Sequence, residues 1–419
     1  MLNKLVKLCT VFMLLCVFCS PLLFAGEKPA EKQKITFWSM VQAAIDLKTA
    51  QEAAIKDFEE TNNAIVELTV FPYVELQDKL LTAVAAGKGP DILLLDQIWV
   101  TQYASAGFIE PLDDRVLKSK LRADDFFPGA WGAAKYQGKQ YAVPFDVGVW
   151  ALLYYNKDMF RKAGLDPEKP PVTWDEFYNY GKRMTNAREN KYGTAIWVGT
   201  GDAVQCVVDA FIFSNGGKVV DDAGKKSLLN TPESIEALEF YKKLQTISPL
   251  GTVGRSEEDA FRLFTAGQVA MFMYGEWGQD TIAARAPDMD YGIGLLPRPA
   301  DGKSIGTFGG WEMAINKKSQ NKDLAWKFLE YAAQASVNKK IASLTPANKE
   351  AARAFLREKR RYPDVIYEQL TGALYRPLVP NYPEIAEIQR AATQAILLEQ
   401  GNTKDILDDA VAKINALLK

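Results

Sequence analysis

The 419-residue chain contains no histidine. That excludes Ser-His-Asp and Cys-His catalysis, HExxH zinc sites and most transition-metal sites, each of which needs an imidazole as base or ligand. Cysteine is almost as scarce. Of four, Cys9, Cys16 and Cys19 fall in the first 25 residues and only Cys206 follows. A single thiol makes no internal disulfide, so ordinary packing must hold the rest of the chain, which is long enough for a large core and for two domains. Cys206 lies in the apolar run CVVDAFIF and reads as a small core residue. There is no G-x-S-x-G, no Walker loop and no acidic calcium loop. The nearest dinucleotide match, GIGLLP from Gly292, has Pro297 where a third glycine belongs. Formal net charge is −2, with Lys and Arg scattered among acids, so no basic stripe marks a nucleic-acid binder. No low-complexity segment or internal repeat is visible. The reading at this level is of no cofactor, no metal and no nucleic acid.

The first 25 residues, MLNKLVKLCTVFMLLCVFCSPLLFA, have a basic start at Lys4 and Lys7, an apolar run from Leu8 to Phe18 and a small residue, Ala25, at a plausible cut. This is the layout of a secretory signal peptide, with a mature chain beginning near Gly26 and a periplasmic or secreted location. The run falls short of the roughly 20 apolar residues of a membrane span. Cys16 follows Leu15 and Cys19 follows Phe18, where a lipidated cysteine wants a small residue before it, so no lipid anchor is expected. CVFC is then no redox or zinc motif.

Aromatic residues are plentiful: 9 Trp, 17 Tyr and 21 Phe, several beside Gly, Asp or Asn. The stretch GTFGGWE, residues 306–312, sets a tryptophan between glycines and a carboxylate. Around these residues strands and helices alternate. KITFWSM, AIVELTVFPY and the continuous apolar PDILLLD read as strands. LKTAQEAAIKDFEETN and ELQDKLLTAVAAGKG read as helices, the first with Ala50, Ala54, Ile55 and Phe58 on one side. This βαβαβ order predicts a doubly wound α/β domain. Further on, VWALLYY reads as a strand running into the NKDMFRKAG helix. Thr173 and Glu176 form a capping box, and Thr231 is placed to cap the next helix. VAMFMYG reads as a strand after a glycine turn. YGIGLLPRP and TFGGWEMAI read as two short strands joined by a polar turn at Asp301 and Gly302. DLAWKFLEYAAQ is an amphipathic helix, and the C-terminal third is mainly helical, broken by PLVPNYP.

KLLTAVAAGKGPDILLLD, PFDVGVWALLYYNKDMFRKAGL with PVTWDEF, FTAGQVAMFMYGEWG, and YGIGLLPRP with GTFGGWEMAINKKSQNKDLAWKFLEYA resemble, in order and spacing, the extracellular solute-binding proteins of ABC importers. The closest likeness is to the sugar-binding branch with the maltose- and trehalose-binding proteins, and it covers essentially the whole chain after residue 25. The resemblance implies a two-lobe periplasmic-binding-protein fold of type II and no catalysis. It further implies a small-molecule sugar ligand held between the lobes, membrane permease subunits as partners, and a monomer. The lobes would be 26–143 plus 287–345, and 144–286 plus 346–419. PFDVG, with Pro144 and Gly148 flanking Asp146, would be the first crossing. The chain would return near Pro287 and cross again near Thr345–Pro346.

Sugars present apolar C–H faces to aromatic rings and hydroxyls to carboxylates, amides and Arg. Strand-end aromatics and acids are therefore the candidate ligand contacts. In GGW the resemblance puts Trp311 at the cleft as a stacking wall, its glycines letting the backbone approach the ligand, against packing under the sheet. Asp96 and Trp99 follow the DILLL strand, with a helix N-cap as the other reading of Asp96. Trp38 ends the first strand, as contact or as core. Asp146 binds a hydroxyl or makes a structural turn. Trp277 resembles a cleft aromatic, and its neighbour Glu276 is expected to be exposed or a cap. Trp197 is strand core or cleft wall. Arg376 resembles an arginine brought into the cleft, against a solvated one. Tyr73 and Glu312 complete the set. Two rival classes remain: a glycoside hydrolase using Asp113/Asp114 or Glu257/Glu258, and a cell-wall carbohydrate-binding module.

Overall fold

The computed structural model describes residues 32–40, 47–199, 203–251, 253–342 and 344–419. The expected signal peptide at 1–25, with Cys9, Cys16 and Cys19, lies outside the described residues. The first strand, β1 (Gln33–Met40), buries Ile35 and Phe37 on alternate positions. The Leu47–Asn62 helix packs Ala54, Ile55 and Phe58 inward, as its periodicity predicts. After β2 (Ala64–Phe71) the next helix, Tyr73–Ala85, starts at Pro72, which pre-sets the helical entry, rather than at Glu75. β3 (Ile92–Asp96) is buried throughout and runs parallel to β1, as a strand covered on both faces should be.

Two short strands, β4 (Lys135–Tyr136) and β5 (Lys139–Gln140), form a hairpin. The chain then makes β6 (Ala142–Trp150) and β7 (Leu152–Asn156), later β8 (Tyr192–Thr194), β9 (Val269–Tyr274), β10 (Tyr291–Gly294), β11 (Thr307–Ile315), β12 (Thr345–Pro346) and β13 (Leu374–Tyr375). Among the described residues these build two main sheets. The larger has the order β12-β6-β11-β3-β1-β2, with β13 on β11; the smaller has the order β10-β7-β9-β8. Helices flank both, and the fold is the two-lobe α/β kind.

Four expectations are corrected by the strand pairing. VWALLYY is not one strand: Ala151, at φ 68°, breaks it, leaving β6 in the larger sheet and β7 in the smaller. The chain thus changes sheets at Ala151, while PFDVG sits inside β6, paired with β11 and buried. β10 and β11 are not a hairpin either. β10 pairs with β7 in the smaller sheet and β11 with β6 and β3 in the larger, so the segment between Gly294 and Thr307 is a crossing, and the return falls there rather than near Pro287. β12 also lies in the larger sheet, pairing with β6 at Val147 and Asp146, and the next strand, β13, joins β11 of that same sheet.

The C-terminal helices Tyr382–Leu397 and Thr403–Leu417 pack with Ala203–Ser214 and Pro232–Lys243. Ser227 donates its backbone N–H to Asn415 (2.8 Å), and Gln389 donates to Asp209. The capping box is present: Thr173 Oγ1 accepts from Glu176 N at 3.2 Å and Glu176 accepts from Thr173 N at 3.1 Å. Among the described residues no helix is long and apolar enough to cross a membrane. Cys206 is buried in its helix.

Candidate functional site

β1 and β3 end at the same rim of the larger sheet. β11 runs antiparallel to β3 and β6, so its first half lies at that rim too. Trp311 of β11 stands directly across from Asp96 of β3 on one side and Asp146 of β6 on the other. The register shifts between Trp311 and Glu312, a bulge that disturbs the strict in–out alternation there. The expected residues Asp96, Asp146, Trp311 and Glu312 are therefore side by side because three strands meet, although they are far apart in sequence.

Rings gather over this row. The Trp311 centroid lies 5.9 Å from both Tyr73 and Trp99, in edge-on geometry, and Tyr73 is 5.3 Å from Trp99. Tyr73 donates its hydroxyl to Asp96 Oδ2 at 3.1 Å, and Asp96 Oδ1 accepts from Ile98 N at 3.2 Å, so Asp96 caps the Gln97–Ser105 helix as well. Arg376 Nη2 approaches Asp96 Oδ1 at 3.8 Å. It arrives there because β13, just before it, pairs with the start of β11. Trp38 packs edge-on against Phe71 at 5.2 Å, both half-buried.

Burial corrects part of the reading. Trp311 is 5% exposed and Trp99 1%, so Trp311 is not a ring standing half open to solvent; it backs Tyr73, which is half-buried. Trp197 is 3% exposed, and its carbonyl accepts from the Tyr241 hydroxyl at 3.1 Å, in the stretch after β8. Asp146, Glu312 and Arg376 are buried. Arg376 is thus not a solvated surface side chain. Glu276, expected exposed or a cap, is fully buried.

The glycines also have a different task from the one expected. A Cβ on Gly310, at φ 150°, would stand 2.3 Å from the Asp146 carbonyl oxygen. One on Gly309 would press on the Trp150 indole at 3.4 Å, and one on Gly148, across from Gly309, would meet Trp277 at 3.4 Å and Leu344 at 3.0 Å. Gly148 and Gly309 make a floor two residues along from Asp146 and Trp311, on the same face. Above it Trp150 and Trp277 meet edge-on, 4.5 Å apart, both half-buried. Trp150 was missed from sequence; its alternation with Gly148 and Asp146 along one strand was the available signal.

Acids crowd this region. Burial, then the neighbouring Asp146 and Asp96, push the Glu312 carboxyl well above the usual carboxylate range. Burial raises Glu276 to about 7, against the opposing pull of Arg360 and the Thr345 hydrogen bonds. Burial likewise raises Asp209 to about 7, opposed by Gln389 and Arg376. Among the described residues no group of acids or thiols is arranged to hold a metal. The acid pairs considered for hydrolysis lie elsewhere. Asp113/Asp114 and Glu257/Glu258 each begin a helix, where carboxylates meet the free N–H groups of the first turn. Glu258 is paired with Arg285.

Two α/β sheets between which the chain changes at Ala151 and again between Gly294 and Thr307, with an aromatic- and acid-lined row at the carboxyl ends of the strands, define a ligand receptor of the two-lobe kind. The chain belongs to the bacterial extracellular solute-binding protein family, whose profile matches residues 44–339. It is 29% identical over 382 residues to a putative binding protein of Brucella abortus strain 2308, covering 88% of this chain and 89% of the relative. It is 29% identical over 372 residues to the diacetylchitobiose binding protein DasA of Streptomyces coelicolor, covering 86% and 84%. Among solved structures, an ABC transporter solute binding protein of Thermotoga lettingae bound with α-D-tagatose superposes with a TM-score of 0.79 at 30% identity, over 93% of this chain and all of that one.

Proposed function

We propose that this protein is the substrate-binding component of an ABC sugar importer, holding a mono- or oligosaccharide between its two lobes and presenting it to permease subunits in the membrane. The observation that carries this reading is the row Asp96–Trp311–Asp146 with Tyr73, Trp277 and Trp150 around it, aromatic surface beside hydrogen-bonding carboxyls at the rim of the larger sheet. The half-buried rings Trp38, Tyr73 and Trp277 are the direct contacts to the sugar faces, with Asp96, Asp146, Glu312 and Arg376 serving its hydroxyls. Trp311 and Trp99 brace Tyr73, and Trp197 supports the second wall. The lobes are built on the two sheets, with hinges at Ala151, between Gly294 and Thr307, and after Pro346. Ligand contacts from both lobes favour the closed form. The relatives that bind tagatose and diacetylchitobiose support a saccharide here.

The protein acts as a monomer without turnover, and residues 1–25 export it. The deciding experiment is a thermal-shift screen of the purified protein against mono- and oligosaccharides, polyols and glycerol phosphates, with a product assay alongside. A ligand at 100 times its dissociation constant adds about 2.7 kcal/mol of stability. A shift with a soluble sugar and no product supports the receptor. Product formation at micromolar protein overturns it in favour of a hydrolase.

A further inference from the structure

Glu276 lies between β9 of the smaller sheet and Trp277, and it is stitched both to the strands flanking the change of sheet at Ala151 and to β12. Its backbone N–H donates to Val149 O of β6 at 3.2 Å, two residues before the change of sheet at Ala151. Its backbone carbonyl accepts from the Tyr154 hydroxyl of β7 at 3.2 Å. Its Oε1 accepts both from Thr345 N (3.0 Å) and from Thr345 Oγ1 (2.8 Å), in β12 of the larger sheet. The side chain is fully buried, and Oε2 has no hydrogen-bond partner among the described protein atoms. The next residue is the tryptophan that rests against Gly148.

We propose that Glu276 is a positioning residue of the ligand cleft: it clasps the β6–β7 crossing to β12, and so seats Trp277 over the Gly148–Gly309 floor, with a grip that depends on its protonation. The inference rests on the reading of the space between the lobes as the ligand site. Burial sets the direction of the dependence, against the opposing pull of Arg360 and of the Thr345 hydrogen bonds. Arg360, at the end of the Lys349–Lys359 helix, attracts the carboxylate, but it is already bonded to Asp280 of the Gly278–Arg285 helix at 2.6 Å. Asp146 of β6 repels it, and Tyr154 of β7 is the neighbouring neutral titratable group. A proton placed on Oε2 removes a buried, incompletely compensated charge while leaving Oε1 free to accept from Thr345. Although each Thr345 bond is stronger to the carboxylate, relief of the buried charge outweighs that, so the clasp holds best with Glu276 protonated and loosens as pH rises through about 7. Glu276→Gln copies the protonated form, with an acceptor for Thr345 and no charge.

The test reads amide hydrogen exchange of the peptide carrying Thr345 in the ligand-free protein, corrected for intrinsic exchange, from about pH 6 to about pH 8.5. Wild type is expected to lose protection about tenfold across that range, the equivalent of roughly one pKa unit of differential interaction. Glu276→Gln should hold its protection flat and match wild type at the acid end. Thr345→Val, which removes one donor and keeps the fold's apolar volume, should lower protection at every pH, and Glu276→Ala more so. A Glu276→Gln profile parallel to wild type overturns the proposal, as does a Thr345→Val variant as protected as wild type. In a separate arm, α-D-tagatose and diacetylchitobiose are titrated into both Glu276 variants by calorimetry. Failure of both sugars to bind wild type counts against the saccharide reading and leaves the exchange arm to decide the clasp. Where one binds, Glu276→Ala should weaken it about tenfold or more and Glu276→Gln should restore it, and equal affinities in all three overturn the positioning role.

Discussion

A Cβ built on Gly310 would stand 2.3 Å from the carbonyl oxygen of Asp146, on the strand next door. The same glycine holds φ at 150°, a conformation that side-chain-bearing residues avoid. The Gly-Gly before Trp311 is thus the means by which β11 approaches β6 closely enough to align Trp311 with Asp146. Gly310→Ala is expected to cost at least about 2 kcal/mol, since neither the backbone angle nor the neighbouring carbonyl can give cheaply. A urea melt with an unchanged midpoint would show that the two strands can separate without penalty, against this account.

Asp209 provides a pH test. It is buried in the Ala203–Ser214 helix with its carboxyl raised to about 7 by burial. Between about 4, the usual carboxylate value, and 7, the folded chain keeps a proton that the unfolded chain has released. Unfolding then releases protons, and stability falls as pH rises through that window. Below it nothing is lost, and above it the full penalty applies. Asp209→Asn removes the penalty and keeps an acceptor for Gln389. The variant should exceed wild type by about 2 kcal/mol near pH 8 and lose that advantage near pH 4. Equal melting curves at both ends would mean that Asp209 carries no buried charge.

Tyr73→Phe isolates one contact. The hydroxyl donates to Asp96 Oδ2 at 3.1 Å, while Asp96 keeps Ile98 N and the nearby Arg376. The ring, and its packing on Trp311 and Trp99, is unchanged by the substitution. Loss of stability should be about 1 kcal/mol, the usual net worth of one such bond. Loss well above that in a chemical melt would make Tyr73–Asp96 a buried keystone rather than a rim contact.

Much of the fold was legible because its signals are local. The βαβαβ start, the Thr173–Glu176 capping box and the Thr231 cap follow from periodicity and cap chemistry within a few residues. What the local pattern missed is where partners are chosen at a distance. β10 and β11 look like a hairpin in sequence, yet they join different sheets, because β10 finds β7 and β11 finds β6 and β3. The break at Ala151 has no turn residue to announce it; its positive φ falls where the chain leaves β6 of one sheet for β7 of the other. At the site, strand-end position pointed to Asp96 and the resemblance to Trp311, but only the pairing of β3 with β11 shows that they stand side by side, with Tyr73 against Trp311. Glu276 was misjudged because burial of a carboxylate depends on Thr345 and Arg360, which come from segments far along the chain. Trp150 was overlooked because its context is an ordinary apolar strand, and only the floor of Gly148 and Gly309 sets it apart.

Trp277 and Trp311 make opposite predictions. Trp311 is almost fully covered by Tyr73, Trp99 and its neighbouring strands, so Trp311→Ala leaves a cavity in packed structure. Its cost to stability should be about 3–5 kcal/mol, as for other buried Trp truncations. Trp277 is half-buried, seated on Gly148 and edge-on to Trp150, so it is partly open to solvent. Trp277→Ala should therefore destabilise the ligand-free protein by less than Trp311→Ala, while binding of the sugar found in the screen weakens by about 2 kcal/mol or more, as for an aromatic anchor at an interface. A denaturant melt and a calorimetric titration on each variant separate the two. If Trp277→Ala binds that sugar as wild type does, the second wall of the cleft lies elsewhere. If Trp311→Ala keeps its stability and loses binding, Trp311 itself is the stacking surface, and the lobes must open further than they do here to expose it.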